Sequence, residues 1–137
     1  METIGLDRDG TITRFGFPAS KWNLPWYLFL FLLPWFLIQK PKKGALEFLK
    51  RLDEFGGVII IICRWPKQLI KINAFLLKLY HVPYDDIICI GWEKGAEQRK
   101  LKAAKEAGVE VFIDDEENVV SFFNANGILA FIAEKTF

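Results

Sequence analysis

The sequence is poor in the residues that build disulfide frameworks and histidine metal sites. Its 137 residues include two cysteines, Cys63 and Cys89, and one histidine, His81. Two cysteines do not supply the several disulfides that stabilise a small secreted domain. A single histidine excludes a zinc site made of several histidines and leaves one candidate base for a Ser-His-Asp triad. The first residues also lack the basic start and apolar core of a secretory signal, so a cytoplasmic, reducing location is expected.

The sequence also lacks an excess of charge of either sign. It has 18 basic and 17 acidic residues and a formal net charge of +1. This balance argues against a broad electrostatic surface for nucleic acid, which needs a large excess of lysine and arginine. Hydrophobic residues make up 52% of the chain, which excludes global disorder. The length is that of one domain.

One stretch departs from an ordinary globular domain, and we call residues 24–38 the apolar segment. It runs from Leu24 to Ile38 without a charged side chain and contains Pro25 and Pro34. As a helix it would span about 22 Å, which is short for a bilayer core of about 30 Å. Three roles are open for this insert at about 22–40. It can be buried over the sheet edge, dock peripherally on a membrane surface through its aromatic residues and flanking lysines, or form a homo-oligomer interface.

Alternating apolar runs and helical patterns predict an α/β domain over residues 1–137. Strands are predicted at 3–6, 58–62, 86–90, 110–113 and 128–132, with a small hairpin at 11–17. Helices are predicted at 45–55, 66–80, 94–107 and 116–126. Strands that alternate with helices indicate one parallel sheet with helices on both faces, as in Rossmann-like domains.

Acidic residues follow two of the predicted strands. Asp7 and Asp9 follow the first strand, and Asp114 and Asp115 follow the fourth. The carboxyl ends of parallel strands meet at one edge of a sheet, where ligands bind. Four carboxylates at one edge repel one another unless a cation neutralises them, and oxygen ligands suit Mg²⁺ or a similar ion. The pattern therefore predicts a metal site.

Residues 7–11 (DRDGT), placed after a short apolar strand, resemble the D-x-D-G-T signature of the haloacid dehalogenase-like (HAD) phosphohydrolase superfamily. Asp114 and Asp115 are similar to its acidic fourth motif. Lys100, fourteen residues before Asp114, matches the usual position of its third-motif lysine better than Lys94 or Lys102 does. The resemblance covers nearly the whole chain apart from about residues 16–41. It implies a five-stranded sheet of order 5-4-1-2-3.

The resemblance also implies a phosphatase mechanism. Asp7 would be the nucleophile and form an aspartyl-phosphate, while Asp9 would act as general acid and then as general base. Lys100 would stabilise the transferring phosphoryl group. Mg²⁺ would be held by Asp7, the Asp9 carbonyl and Asp114, with Asp115 in support. Phosphate-binding roles are predicted for these residues: Gly10, Thr11, Cys63 and Arg64.

The end of the second strand departs from the family pattern. The superfamily usually has serine or threonine there, whereas this sequence has Ile62 and Cys63. A thiol is a weak hydrogen-bond donor, although the guanidinium of Arg64 can bind phosphate in its place. Two functions are therefore open: a Mg²⁺-dependent phosphomonoester hydrolase, or a catalytically impaired binding module associated with a membrane or a partner.

The predicted substrate is a phosphorylated small molecule, lipid head group or macromolecule. The chain has no room for the large cap domain that encloses small substrates in many family members. A site without a cap resembles those completed by a macromolecule, a lipid surface or a partner.

Overall fold

Five short apolar runs form one parallel sheet. The computed structural model describes residues 2–13 and 26–136, and the sheet order is β3-β2-β1-β4-β5. This order is the predicted 5-4-1-2-3 order read from the other edge, so the predicted topology is confirmed. The strands are β1 (Thr3–Leu6), β2 (Val58–Cys63), β3 (Asp86–Cys89), β4 (Val111–Asp114) and β5 (Leu129–Ile132).

The helices pack on both faces of this sheet, which is the α/β arrangement expected from the sequence. They are α1 (Leu33–Leu37), α2 (Lys43–Glu54), α3 (Ile70–Leu79), α4 (Ala96–Glu106), α5 (Glu117–Ala125) and α6 (Ala133–Thr136). Two 3₁₀ segments, Trp26–Leu32 and Lys67–Leu69, precede α1 and α3. The predicted helices at 45–55, 94–107 and 116–126 agree with α2, α4 and α5 to within a few residues. The short helix α6 was not predicted.

Strand β2 lies between two separate hydrophobic cores, one on each face of the sheet. Ile59, Ile61 and Cys63 face one core, while Ile60 and Ile62 face the other. This alternation is the ordinary consequence of successive side chains pointing to opposite sides of a strand. The first core includes residues of α2, α3 and the apolar segment, and the second includes residues of α4 and α5.

Gly5 allows the second core to approach β1 closely. A Cβ atom at Gly5 would lie 2.8 Å from Phe112 Cδ1 and 3.0 Å from Val109 Cγ1. Phe112 is fully buried and stacks on Phe123, with 4.4 Å between the ring centroids. The space that a side chain would take on β1 is therefore filled by an aromatic ring of β4.

The apolar segment has a buried side and an exposed side. Phe36 is fully buried in the first core, and Leu28, Leu32, Leu33 and Trp35 pack partly against that core. Phe31 and Ile38 are 80% and 70% exposed. The expected burial thus describes only part of the segment, and the membrane and oligomer roles stay predictions. Across residues 2–13 and 26–136, no helix has both the length and the apolar character needed to cross a membrane.

The predicted hairpin at 11–17 lies mostly outside the described residues. Within them, Thr13 forms an isolated antiparallel bridge with Pro41, and Ile12 accepts a hydrogen bond from the backbone of Lys42 at 2.7 Å. These contacts hold the turn after β1 next to the start of α2.

Candidate functional site

The site lies at the carboxyl ends of β1 and β4, which are neighbours in the sheet. The Asp7 N–H donates a 3.0 Å hydrogen bond to the Ile113 carbonyl, so Asp7 and Asp114 leave the sheet side by side. Both side chains are buried. The residues predicted from the two strand ends are therefore brought together by the sheet itself.

Lys100 reaches the same point from the second turn of α4. Its Nζ donates 2.9 Å hydrogen bonds to Asp7 Oδ1 and to Asp114 Oδ2, and the side chain is 2% exposed. A buried charged side chain is rarely left without a partner, because an unpaired buried charge is costly. The structure thus brings together Lys100 and the two carboxylates that the resemblance grouped with it.

Two carboxyl groups near Lys100, those of Asp7 and Asp115, have raised pKa values. Burial raises the pKa of Asp7 well above its usual value, and the Asp114 carboxylate raises it further, although Lys100 opposes both effects. Burial likewise raises the pKa of Asp115 to about 6, with Asp114 adding to the shift. Burial by itself lowers the pKa of Lys100, but Asp7 and Asp114 outweigh burial and raise it above the usual lysine value. The ammonium group of Lys100 thus contacts two of the three carboxylates, Asp7 and Asp114, so a further cation would offset the remaining repulsion.

These three carboxylates form a cluster with the dimensions of a metal site. Oxygen atoms of Asp7, Asp114 and Asp115 all lie within 4.8 Å of one another. The donors are all carboxylate oxygens, which suit a hard cation such as Mg²⁺. The residues present therefore fit the ion expected from the sequence, and Asp115 is less buried than the other two.

Asp9 lies apart from this cluster and is held on both oxygens. Arg8 Nη1 donates to its Oδ1 at 2.6 Å, and Trp65 Nε1 donates to its Oδ2 at 3.0 Å. The guanidinium of Arg8 also lies 4.6 Å from the centroid of the Trp65 ring. Burial raises the pKa of Asp9, while Arg8 and the Trp65 hydrogen bond lower it. Asp7 and Asp9 thus occupy different environments, as a division of labour between two carboxylates requires.

The turn after Asp9 is organised around Gly10 and Thr11. Gly10 has a φ of 86°, in the left-handed region that glycine adopts readily. Its carbonyl accepts a 2.7 Å hydrogen bond from Lys42 Nζ, and its N–H donates to Thr13 Oγ1 at 3.3 Å. Thr11 is fully buried, and its hydroxyl donates to Asp7 Oδ2 at 3.4 Å. Thr11 therefore contacts the predicted nucleophile, whereas the hydrogen bonds of Gly10 go to Lys42 and Thr13.

Cys63 lies in the first core at the end of β2. Its Sγ accepts a 3.2 Å hydrogen bond from Asn73 Nδ2 and lies 3.8 Å from Cys89 Sγ. Burial raises the pKa of the Cys63 thiol, with Cys89 adding to the effect. The structure thus places this thiol among core side chains of β3 and α3, and its phosphate-binding role stays a prediction.

Arg64, directly after β2, reaches a residue at the start of α5. Its Nη2 lies 3.3 Å from Glu116 Oε2, and the Glu116 N–H donates to Asp114 Oδ1 at 3.1 Å. Arg64 and Lys94 also line an open cavity of about 310 Å³ at the start of α4. This cavity is large enough for a small organic group, and Arg64 is the residue that it shares with the predicted site.

Sequence reasoning assigned three residues no role in this site: Arg8, Lys42 and Trp65. It considered Lys42 only as one of the lysines that flank the apolar segment. Arg8 was visible within the DRDGT run, but nothing in the sequence indicated that it binds the neighbouring aspartate. Trp65 follows the second strand by two residues, and its contact with Asp9 joins positions 56 residues apart. The signal that could have found it is its place at the carboxyl end of β2, where parallel sheets collect functional side chains.

The sequence matches no protein-family profile and no curated protein sequence. Solved structures do resemble this chain. A chain in a structure of the Pnkp1/Rnl/Hen1 RNA repair complex matches with a TM-score of 0.71 and 17% identity, over 96% of this chain and 42% of that one. A second structure of the Pnkp1/Rnl/Hen1 complex gives 0.70 and 17% identity, over 96% of this chain and 45% of the other. Our chain thus spans less than half the length of these two.

A third structure is similar over most of both chains. It is the D,D-heptose 1,7-bisphosphate phosphatase from B. bronchiseptica, crystallised with magnesium and phosphate. The TM-score is 0.65 at 14% identity, over 99% of this chain and 85% of that one. The fold is HAD-like. This confirms the fold expected from the resemblance, and at these identities the comparison extends to the fold alone.

Proposed function

We propose that this protein is a Mg²⁺-dependent phosphomonoester hydrolase that works through an aspartyl-phosphate at Asp7. The single observation that carries the proposal is the buried contact of Lys100 with Asp7 and Asp114, beside Asp115. A buried nucleophile, a cation and a second carboxylate meet there on a HAD-like sheet. The likeness to a phosphatase crystallised with magnesium and phosphate supports the same reaction class.

The first half of the reaction transfers the phosphoryl group to Asp7. A carboxylate oxygen of Asp7 forms a bond to phosphorus, and the bond from phosphorus to the ester oxygen breaks. The leaving alkoxide takes a proton from the carboxyl of Asp9, whose raised pKa suits an acid. Lys100 balances the negative charge on the phosphoryl oxygens and orients Asp7 through its 2.9 Å hydrogen bond.

The second half hydrolyses the acyl phosphate. Asp9, now a carboxylate, accepts a proton from water as the water oxygen bonds to phosphorus. The bond from phosphorus to the Asp7 oxygen then breaks, which releases inorganic phosphate and restores the Asp7 carboxylate. Mg²⁺ bound by Asp7, Asp114 and the Asp9 carbonyl, with Asp115 in support, would offset charge between phosphate and nucleophile.

Asp9 must exchange at least one of its present partners to take part in proton transfer. Both of its oxygens accept hydrogen bonds from Arg8 and Trp65. We therefore assign this arrangement to the resting enzyme. Substrate would replace one of the two donors and draw Asp9 toward the leaving oxygen.

The substrate class stays open among small phosphate esters, lipid head groups and macromolecules. The cavity beside Arg64 has room for a small organic group. The two matches within an RNA repair complex justify including phosphorylated RNA ends, and they support looking for a protein partner. A cytoplasmic location stays part of the proposal.

The test is phosphate release from a panel of phosphomonoesters, with Mg²⁺ and with EDTA. Asp7→Asn is the matched control because it keeps the size and burial of the side chain. We expect Mg²⁺-dependent turnover that this variant loses, and a phosphorylated Asp7 detectable by mass spectrometry after an acid quench. Equal rates for the variant and the wild type on every substrate would contradict the proposal.

The second candidate function is a binding module that has lost turnover. It is favoured by the end of β2, where Cys63 contacts Asn73 and Cys89 in place of the hydroxyl usual in the superfamily. This candidate predicts that Mg²⁺ and phosphate stabilise the protein against heat while no substrate is turned over. Thermal unfolding with each ligand therefore distinguishes the two functions.

A further inference from the structure

Charge is distributed very unevenly along this chain. Residues 10–46 contain five basic residues and no acidic residue, and residues 55–84 contain four basic residues and again no acidic residue. All 17 acidic residues lie in the remainder of the sequence, together with the other nine basic ones. The near-zero net charge thus conceals two strongly cationic regions.

The fold places the described parts of these two regions against each other. Tyr80, at the carboxyl end of α3, donates a 3.0 Å hydrogen bond to the Leu37 carbonyl in the apolar segment. Phe36 of that segment packs on Trp65, with 4.7 Å between ring centroids. The apolar segment and α3 therefore form one side of the molecule, next to the turn that carries Asp9.

This side exposes large apolar side chains among lysines, and we call it the docking face. Phe31 and Ile38 in the apolar segment are 80% and 70% exposed, and Phe75 and Leu79 on α3 are 62% and 54% exposed. Within the described parts of the same two regions, the exposed lysines are Lys40, Lys43, Lys67, Lys71 and Lys78. Exposed apolar groups in such numbers mark a surface that binds something.

We propose that the docking face binds the surface of an anionic lipid bilayer. Apolar side chains framed by lysines are the composition of peripheral segments that insert at the head-group level, with lysines attracted to anionic lipids. A nucleic acid would use the lysines but leave Phe31, Ile38 and Leu79 in water. A second copy of this chain would bring two cationic faces together, which like charges oppose.

Docking would also set the position of the candidate site. Trp65 contacts the apolar segment through Phe36 and contacts Asp9 through its indole N–H. The carboxyl edge of the sheet would therefore lie close to the lipid head groups. The docking itself does not depend on phosphatase activity, and its test uses no substrate.

The test is co-sedimentation of the whole protein with vesicles. One set contains phosphatidylcholine alone, and the other contains two parts phosphatidylcholine to one part phosphatidylserine. We expect binding to the anionic vesicles that weakens as salt is added. Two variants probe the face: Phe31→Ser with Ile38→Ser removes apolar groups, and Lys71→Glu with Lys78→Glu reverses charge. Each lysine near an anionic surface contributes about fivefold to binding, so charge reversal should weaken it at least about twentyfold.

Matched controls lie outside the apolar segment and α3. Phe55 is 87% exposed beyond the end of α2, and Lys102 and Lys105 are exposed on α4, which packs on the opposite face of the sheet. Phe55→Ser and the pair Lys102→Glu with Lys105→Glu should leave vesicle binding within about twofold of the wild type. All four variants change exposed side chains, so thermal unfolding should confirm that each is folded.

Three results would overturn the proposal. The first is no binding to anionic vesicles, or equal weakening by the control variants. The second is binding to single-stranded RNA that charge reversal abolishes and Phe31→Ser with Ile38→Ser does not change, which would assign the face to nucleic acid. The third is a dimer that dissociates on Phe31→Ser with Ile38→Ser, which would assign the face to a second copy.

Discussion

Replacement of Lys100 by methionine removes the ammonium group that contacts both Asp7 and Asp114. Methionine keeps an unbranched chain of similar length, so the packing of α4 on the rest of the domain changes little. Lys100 is 2% exposed and both of its hydrogen bonds are 2.9 Å long. Removing one partner of such a buried ion pair costs about 3–5 kcal/mol, because the remaining charges stay buried and unpaired. For a chain of this size, the loss corresponds to a fall in the melting temperature of about 10–20 °C.

The pH dependence of the unfolding free energy distinguishes a lost ion pair from lost packing. Lys100 lowers the pKa of Asp7, so its removal raises that pKa further above the value in the unfolded chain. A carboxyl with a raised pKa in the folded state binds protons more tightly there, so protonation stabilises the fold. The variant should therefore recover stability as the pH falls through these raised pKa values, that of Asp115 being about 6 in the wild type.

The assay is thermal unfolding in EDTA at about pH 8 and about pH 5. Lys102→Met is the matched control, since Lys102 is exposed on the same helix. We expect a large deficit for Lys100→Met at the higher pH, a smaller one at the lower pH, and no deficit for Lys102→Met. A deficit of the same size at both pH values would refute the electrostatic reasoning and assign the loss to packing.

Three further predictions follow from the site and the cores. Asp114→Asn should remove the rise in melting temperature that Mg²⁺ gives the wild type, measured by thermal unfolding with and without the ion; an unchanged rise would place the metal elsewhere. Trp65→Phe keeps an aromatic ring but removes the donor to Asp9, and we expect about a tenfold loss of rate, larger for alkyl than for nitrophenyl phosphate because the alkyl group needs the acid more. Equal losses on both substrates would separate Trp65 from proton transfer. Gly5→Ala should cost about 1–3 kcal/mol in urea unfolding, because its Cβ would meet Phe112 at 2.8 Å, and adding Phe112→Leu should recover part of that loss.

The sequence was most informative for the site residues that lie at the carboxyl end of a strand. Asp7 and Asp114 lie at the ends of apolar runs, and the carboxyl ends of parallel strands lie at one edge, so the sequence pattern predicted that both lie at that edge. The family resemblance, through the strand order, made β1 and β4 neighbours. Lys100 was predicted through the family resemblance, and its distance from Asp114 along α4 and β4 lets it turn back to the same point.

Contacts between residues of separate turns could not be predicted from the sequence. The run Val58–Cys63 is apolar on both faces, so its pattern does not tell which residue points to which core. The side of the sheet that Cys63 faces was therefore undetermined. Trp65 follows β2 and donates to Asp9, which follows β1. The orientation of its indole ring depends on how Phe36 packs against it. Pro34 indicated that the apolar segment is not one straight helix, and Pro66 was expected in the first turn of a helix over 66–80. Neither proline predicted the 3₁₀ segments that precede α1 and α3.

Phe36 joins the exterior of the molecule to Asp9. It belongs to the apolar segment, and its ring touches Trp65, which donates to Asp9. Asp7 is held differently, by the sheet hydrogen bond to Ile113 and by Lys100 from α4. Displacement of the apolar segment would thus shift the partner of Asp9 and leave Asp7 in place. The side chains of the proposed nucleophile, Asp7, and of the proposed proton donor, Asp9, thus have different partners. If these roles hold, a change at the surface of the apolar segment would alter proton transfer more than attack on phosphorus.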